Sequence, residues 1–259
     1  MNTISFDLAF SKYDKTRSFP IKIEEQIISS FIKHCPQIID ANVLDIGVGT
    51  GRFAIPLAKY AKTIVGVDIS KEMLGVLGNK NQHSNLKTIQ ADARKLPLKY
   101  TYFDVILTVS TLHLISDYDS VLNEIEKLVK SQGLFVIGQT QYVGKNGLFY
   151  EDIRYKKLRQ ILPNTKEIGL TFDTQVKVLN SRWGEPREFN LAIWEKIFKP
   201  RDILNSFVNK IWSETWNLSD SELSSAIREI EEWIKTEGFT LNQKFKINAC
   251  FKIYVYCIK

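Results

Sequence analysis

Three glycines at alternate positions, Gly47, Gly49 and Gly51, follow directly on the apolar run Val43-Leu44-Asp45-Ile46, and a helical stretch opening at Arg52 comes after them. Glycine carries no Cβ, so a turn built this way lets a ligand approach bare backbone. Seventeen residues past Gly51, the run Val65-Gly66-Val67 ends in Asp68. An acid at the end of a second strand accepts hydrogen bonds from ribose hydroxyls. Together the two features predict a ligand in which a ribose adjoins a group that packs against the peptide chain. The turn alone does not choose that ligand, because dinucleotide enzymes use a glycine turn too. Their fingerprint, G-x-G-x-x-G, puts its third glycine where this chain has Arg52. The pattern here reads D-x-G-x-G-x-G, which does not require a pyrophosphate.

Such a turn needs a sheet to hold it, and residues 41–142 alternate in the way a parallel sheet demands. Ala41–Ile46, Thr63–Val67, Leu86–Gln90, Asp104–Val109 and Gly133–Gly138 read as short buried strands. Arg52–Tyr60, Lys71–Leu77 and Asp119–Val129 read as helices, the last with Val121, Leu122, Ile125, Leu128 and Val129 on one side. Strands alternating with helices predict a doubly wound α/β sheet covered on both faces, with the ligand at the carboxyl ends of the strands. Residues 143–236 break the rhythm: they read as mostly helical, show no obvious buried strand and contain all five tryptophans. Ser219-Asp220-Ser221-Glu222 is a capping box opening a helix that ends at Gly238. The tail from Phe239 to Ile258 reads as two strands. The expected organisation is therefore an N-terminal segment, 1–40, a core of 41–142 with 217–259, and a helical lid, 143–216.

Composition narrows the classes. The 259 residues are 44% apolar and 25% charged, which excludes a disordered chain. No stretch approaches the roughly 20 apolar residues of a membrane span, and the start lacks the basic-then-apolar order of a signal peptide. Three scattered cysteines, Cys35, Cys250 and Cys257, have no metal-ligand spacing and point to reduced thiols in a cytoplasmic protein. The net charge of +6 is spread along the chain instead of forming one basic face, which disfavours a nucleic-acid partner.

Five landmarks in order, LDIGVGTGRF, VGVDIS with Glu72-Met73-Leu74, QADARKLPL, FDVILTVSTLHLI and LVKSQGLFVIG, resemble those of class I S-adenosylmethionine-dependent methyltransferases, in the branch of the quinone-biosynthesis enzymes. The resemblance covers residues 41–142 and, more weakly, the tail. It implies a mostly parallel seven-stranded sheet with a mainly helical insertion before the last two strands. It also implies S-adenosylmethionine as cofactor, S-adenosylhomocysteine as product, no metal, and a small-molecule substrate. By the same resemblance Gly47, Gly49 and Gly51 would line the methionine and ribose part of the cofactor, and Asp45 would orient the loop or meet the cofactor's amino group. Asp68 would hold both ribose hydroxyls, Ile69 and Met73 would flank the adenine, and Asp92 with Ala93 would meet the adenine edge. The Ser110 carbonyl would take the methionine ammonium. Upstream, Tyr13-Asp14-Lys15-Thr16-Arg17 resembles a segment that closes over the cofactor, with Tyr13 and Arg17 near the methionine end and Arg17 paired with its carboxylate.

Transfer from a sulfonium is an in-line displacement, so alignment and exclusion of water are the protein's main tasks. His113, just past the fourth strand, is the candidate general base for any proton that must leave the acceptor. The main reading is methyl transfer to O, N or C of a small molecule. Alternatives are an RNA-modifying enzyme, a cofactor-binding accessory protein without turnover, and a nicotinamide dehydrogenase.

Overall fold

The computed structural model describes residues 10–163 and 169–259. They form two compact units. The first comprises the described residues up to 139, residues 169–192 and Phe251–Lys259; the second comprises residues 140–163 and 193–250.

One seven-stranded sheet contains β1 (Asn42–Ile46), β2 (Thr63–Asp68), β3 (Leu86–Gln90), β4 (Phe103–Val109), β5 (Val129–Val143), β6 (Arg187–Phe198) and β7 (Phe245–Cys257). Its order is β3-β2-β1-β4-β5-β7-β6. The first five strands pair in parallel, with Leu44 opposite Val65 and Ile106, and Ile106 opposite Phe135. The order runs outward from β1 in both directions, to β2 and β3 on one side and to β4 and β5 on the other, so a crevice opens beyond the carboxyl ends of β1 and β4. Sequence dictates this centre. Val43, Leu44 and Ile46 are fully buried, as a strand covered on both faces requires.

The first unit's helices are α1 (Phe10–Arg17), α2 (Ile21–His34), α3 (Ala54–Leu57), α4 (Lys71–Lys80), α5 (Tyr118–Leu128) and, later in the chain, α8 (Phe172–Trp183). The Ser70 side chain caps α4 by accepting the Met73 amide at 3.1 Å. On α5 the expected face is buried: Val121, Leu122, Ile125 and Leu128 pack into one core with Leu44, Ile106 and Phe135. Each such side chain contributes about 1.5–3 kcal/mol by leaving water.

The second unit holds α6 (Lys145–Glu151), a π-helical turn (Asp152–Lys157), α7 (Leu158–Ile161), α9 (Pro200–Val208) and α10 (Asp220–Thr236). Its core joins Tyr150, Ile153, Phe198, Phe207, Ile230 and Ile234. The capping box is formed: Ser219 accepts the Glu222 amide at 3.2 Å, and Glu222 accepts the Ser219 amide at 2.9 Å.

Three details differ from the sequence reading. The helix after the glycines is a single turn, α3. Residues 143–236 do contain a strand, β6, and the tail is one strand, β7, so β6 and β7 are the last two strands, with α9 and α10 between them. Strand β6 ends the sheet order, and its exposure is irregular, with Leu191 and Ala192 buried but Ile193 and Ile197 more than half exposed. That mixture hides the period-two signal. Finally, α8, expected in the lid, belongs to the first unit, whereas α10, expected with the core, belongs to the second.

Candidate functional site

The glycine turn is built from β1 outward. The Gly47 and Val48 amides both donate to the carbonyl of Val67, at 2.8 and 3.0 Å, which stitches the turn to the end of β2. The next free amide, Gly49, donates to Asp68 Oδ2 at 2.9 Å, while Asp68 Oδ1 accepts the Ser70 amide at 2.9 Å. Asp68 thus holds both the loop and the start of α4. Gly47 sits at φ 74°, and a Cβ there would stand 2.1 Å from Thr111 Oγ1. The turn is thus wedged between β2 and the segment after β4, and only glycine fits.

A cavity lies on this turn. Gly47, Gly49 and Asp68 line it, together with Ile69, Met73 and Tyr13. Asp92 and Ala93, after β3, and Ser110 and Thr111, after β4, complete the wall with the apolar Leu114 and Ile115. Asp92 is partly committed: its Oδ1 accepts the Arg94 amide at 2.9 Å and Arg94 Nε at 3.0 Å, and the Arg94 guanidinium holds its carboxyl below the usual carboxylate range. Ser110 adopts φ 56°, a left-handed conformation rare for a side-chain-bearing residue, at the cavity's edge.

Four of the expected site residues lie outside this wall. Gly51 does not line the cavity; a Cβ there would stand 2.9 Å from Ile55 and Leu77, so packing demands this glycine. Arg17 is also absent from the lining, and its carbonyl accepts Arg52 Nη1 at 2.7 Å. His113 is exposed on the short turn Leu112–Leu114, whose neighbours Thr111 and Leu114 do face the cavity. Asp45 is 3% exposed and does not line the cavity. Burial, then the nearby charge of Asp68, pushes its carboxyl up to about 7, against the pull of Arg52.

Sequence reasoning passed over Thr111, Leu114, Ile115 and three polar residues that tie α1 to the turn: Asp14, Thr50 and Arg52. Asp14 Oδ1 accepts the Thr50 hydroxyl at 2.6 Å, and Asp14 Oδ2 accepts Lys80 Nζ at 2.8 Å. The Arg52 guanidinium lies 4.7 Å from the Phe19 ring and 5.3 Å from the Phe53 ring. The position of Arg52 just after the third glycine was a usable signal; Asp14 and Thr50 both lie in motifs that carry the resemblance, but nothing in the sequence pairs them with each other.

A parallel sheet reversing at β1, a D-x-G-x-G-x-G turn and an acid closing β2 define a class I S-adenosylmethionine-dependent methyltransferase domain. Residues 44–137 match the methyltransferase domain family, and this part of the chain is a domain of that class. An uncharacterized protein of Methanocaldococcus jannaschii is 29% identical over 174 residues, covering 63% of this chain and 80% of that protein. The ubiquinone/menaquinone biosynthesis C-methyltransferase of Rickettsia prowazekii is 30% identical over 153 residues, covering 53% of this chain and 61% of that enzyme. Among solved structures, YcgJ of Bacillus subtilis superposes with a TM-score of 0.60 at 20% identity, over 91% of this chain and all of that one, a likeness of fold. Among the described residues, no group of three or more His, Cys, Asp or Glu side chains is suited to a metal ion, and no helix is long and apolar enough to cross a membrane.

Proposed function

We propose that the cavity binds S-adenosylmethionine and that the protein transfers its methyl group to a small molecule. The observation that carries this reading is the Asp68 carboxylate, which closes β2, ties the glycine turn to the start of α4 and lines the cavity. An acid in that place, at the end of the second strand, suits the two hydroxyls of a ribose. The rest of the lining fits the same ligand: bare backbone at Gly47 and Gly49 for the methionine and ribose, and Ile69 with Met73 as apolar surface for an adenine. When bound, the cofactor supplies an electrophilic methyl on a sulfonium.

The residues of this chain bind, orient and exclude water. Asp68 fixes the ribose, the Gly47–Gly49 backbone sets the depth of the ligand, and Leu114 and Ile115 keep an apolar wall over it. His113 is exposed and does not line the cavity, so we assign alignment, not proton removal, to the wall residues. The Rickettsia relative is named for a carbon acceptor; for this chain we propose a small-molecule acceptor without choosing the atom, and the dispersed charge supports a small molecule over RNA.

Isothermal titration with S-adenosylhomocysteine tests the reading, with NAD as the competing ligand. We expect a one-to-one complex with S-adenosylhomocysteine and no heat with NAD. The reverse pattern would return the domain to the nicotinamide class, and silence with both would remove the cofactor site.

A further inference from the structure

Helix α1 is short and mostly polar in sequence. Its sequence, FSKYDKTR, contains two aromatic residues among polar and charged ones. Polar contacts tie it to the glycine turn. Asp14 receives the Thr50 hydroxyl at 2.6 Å and Lys80 Nζ at 2.8 Å, and one turn later the Arg17 carbonyl receives Arg52 Nη1 at 2.7 Å. Thr50 and Arg52 flank Gly51, so two points on one face of α1 grip two points of the loop. Thr50 is 1% exposed, which makes its hydroxyl costly to leave without a partner. Lys80 ends α4, the helix that brings Met73 to the cavity, and Tyr13, next to Asp14, lines that cavity. The hydrogen bonds from Lys80 and Thr50 outweigh the effect of burial and keep the Asp14 carboxyl below its usual range.

Resting on the reading of the cavity as a cofactor site, we propose that Asp14 is a positioning residue that latches α1 shut, with Tyr13 in the wall, and so slows cofactor release. Polar ties of this kind open at low cost, which suits a door better than a core element. Asp14 sits where the loop, α4 and the door meet. Release, more than association, is the step it controls.

Two measurements test this on the full chain: hydrogen–deuterium exchange at the α1 amides without ligand, and stopped-flow release of S-adenosylhomocysteine. In D14A we expect several-fold faster exchange confined to α1 and roughly tenfold faster release, with association little changed. T50V and K80M should fall between D14A and wild type. Combining T50V with D14A should add nothing to release, because the two share one contact. D14N keeps an acceptor for Thr50 but loses the charge facing Lys80, and should restore part of the retention; if D14A does not fold, D14N and T50V carry the comparison. Wild-type release in these variants overturns the latch. Faster exchange with unchanged release makes Asp14 a structural tie only and overturns it too. If the wild-type chain binds no S-adenosylhomocysteine, the cofactor reading itself fails and the latch falls with it.

Discussion

The Asp68 carboxylate accepts the Gly49 amide at 2.9 Å, joining the end of β2 to the middle of the glycine turn. One side chain therefore shapes the loop and lines the cavity, where we propose that it meets the ligand. Asp68→Ala removes both roles. It leaves the Gly49 and Ser70 amides without their acceptor, at a cost of about 1–3 kcal/mol in stability. If two charge-assisted bonds to ribose are lost as well, affinity for S-adenosylhomocysteine should fall roughly a hundredfold. Titration calorimetry alongside thermal melting separates the two effects. Unchanged affinity in a folded variant would remove Asp68 from the ligand's partners.

The glycines differ sharply in what a methyl group would meet. At Gly47 an added Cβ would collide with Thr111 at 2.1 Å and take φ 74°; at Gly75, inside α4, it would meet nothing within 4 Å. Gly47→Ala should cost about 3 kcal/mol from strain and overlap together. Gly75→Ala should instead stabilise by about 0.5–1 kcal/mol, because alanine loses less backbone freedom in a helix. Chemical denaturation of both variants checks the contrast, and equal effects would mean that the turn is looser than its geometry.

Much of this site could be read before any coordinates. The strand endings, the acid closing β2 and the helical face of α5 follow from periodicity and turn chemistry, which act locally. What escaped the sequence depends on register between distant segments. Thr111 meets Gly47 because β4 pairs beside β1, with Leu107 opposite Asp45, and nothing near either residue announces it. Gly51 looks like its two neighbours in the sequence, yet Ile55 and Leu77, not the cavity, demand its lack of a side chain. The ties of α1 are single polar pairs without a period, and β6 is an edge strand whose apolar residues are partly exposed, so neither leaves a repeating pattern.

In the second unit, Arg154 is 5% exposed and is held by Glu214, with Nη1 to Oε1 at 2.9 Å, while its guanidinium lies 3.5 Å from the Trp212 ring. Removing one partner of such a pair strands a buried charge. Glu214→Ala should therefore destabilise by about 3–5 kcal/mol, whereas replacing both residues with apolar side chains of similar volume should recover most of the loss. Tryptophan fluorescence melting reports this directly, with Trp212 beside the pair. A Glu214→Ala protein that melts with wild type would show that water reaches Arg154 and screens it.

Asp45 makes stability depend on pH in the direction opposite to that of a salt-bridged carboxylate. In the folded chain its carboxyl is raised to about 7 from the ordinary 3.8, first by burial and then by the charge of Asp68. The folded state thus holds a proton that the unfolded state has already lost between those values. Below about pH 4 both states are protonated and the full stability is present. As pH rises toward 7 the unfolded state is favoured progressively, and beyond 7 the loss is complete. A shift of about 3 pH units sets the ceiling of this loss at about 4 kcal/mol. Asp45→Asn keeps the shape and cannot ionise, so its stability relative to wild type should climb between pH 4 and 7 and then level off. Denaturation curves of the two proteins taken from pH 4 to 8 measure that difference. It cancels the contributions of the other carboxylates, and a constant difference across the range would mean that Asp45 stays in one protonation state throughout.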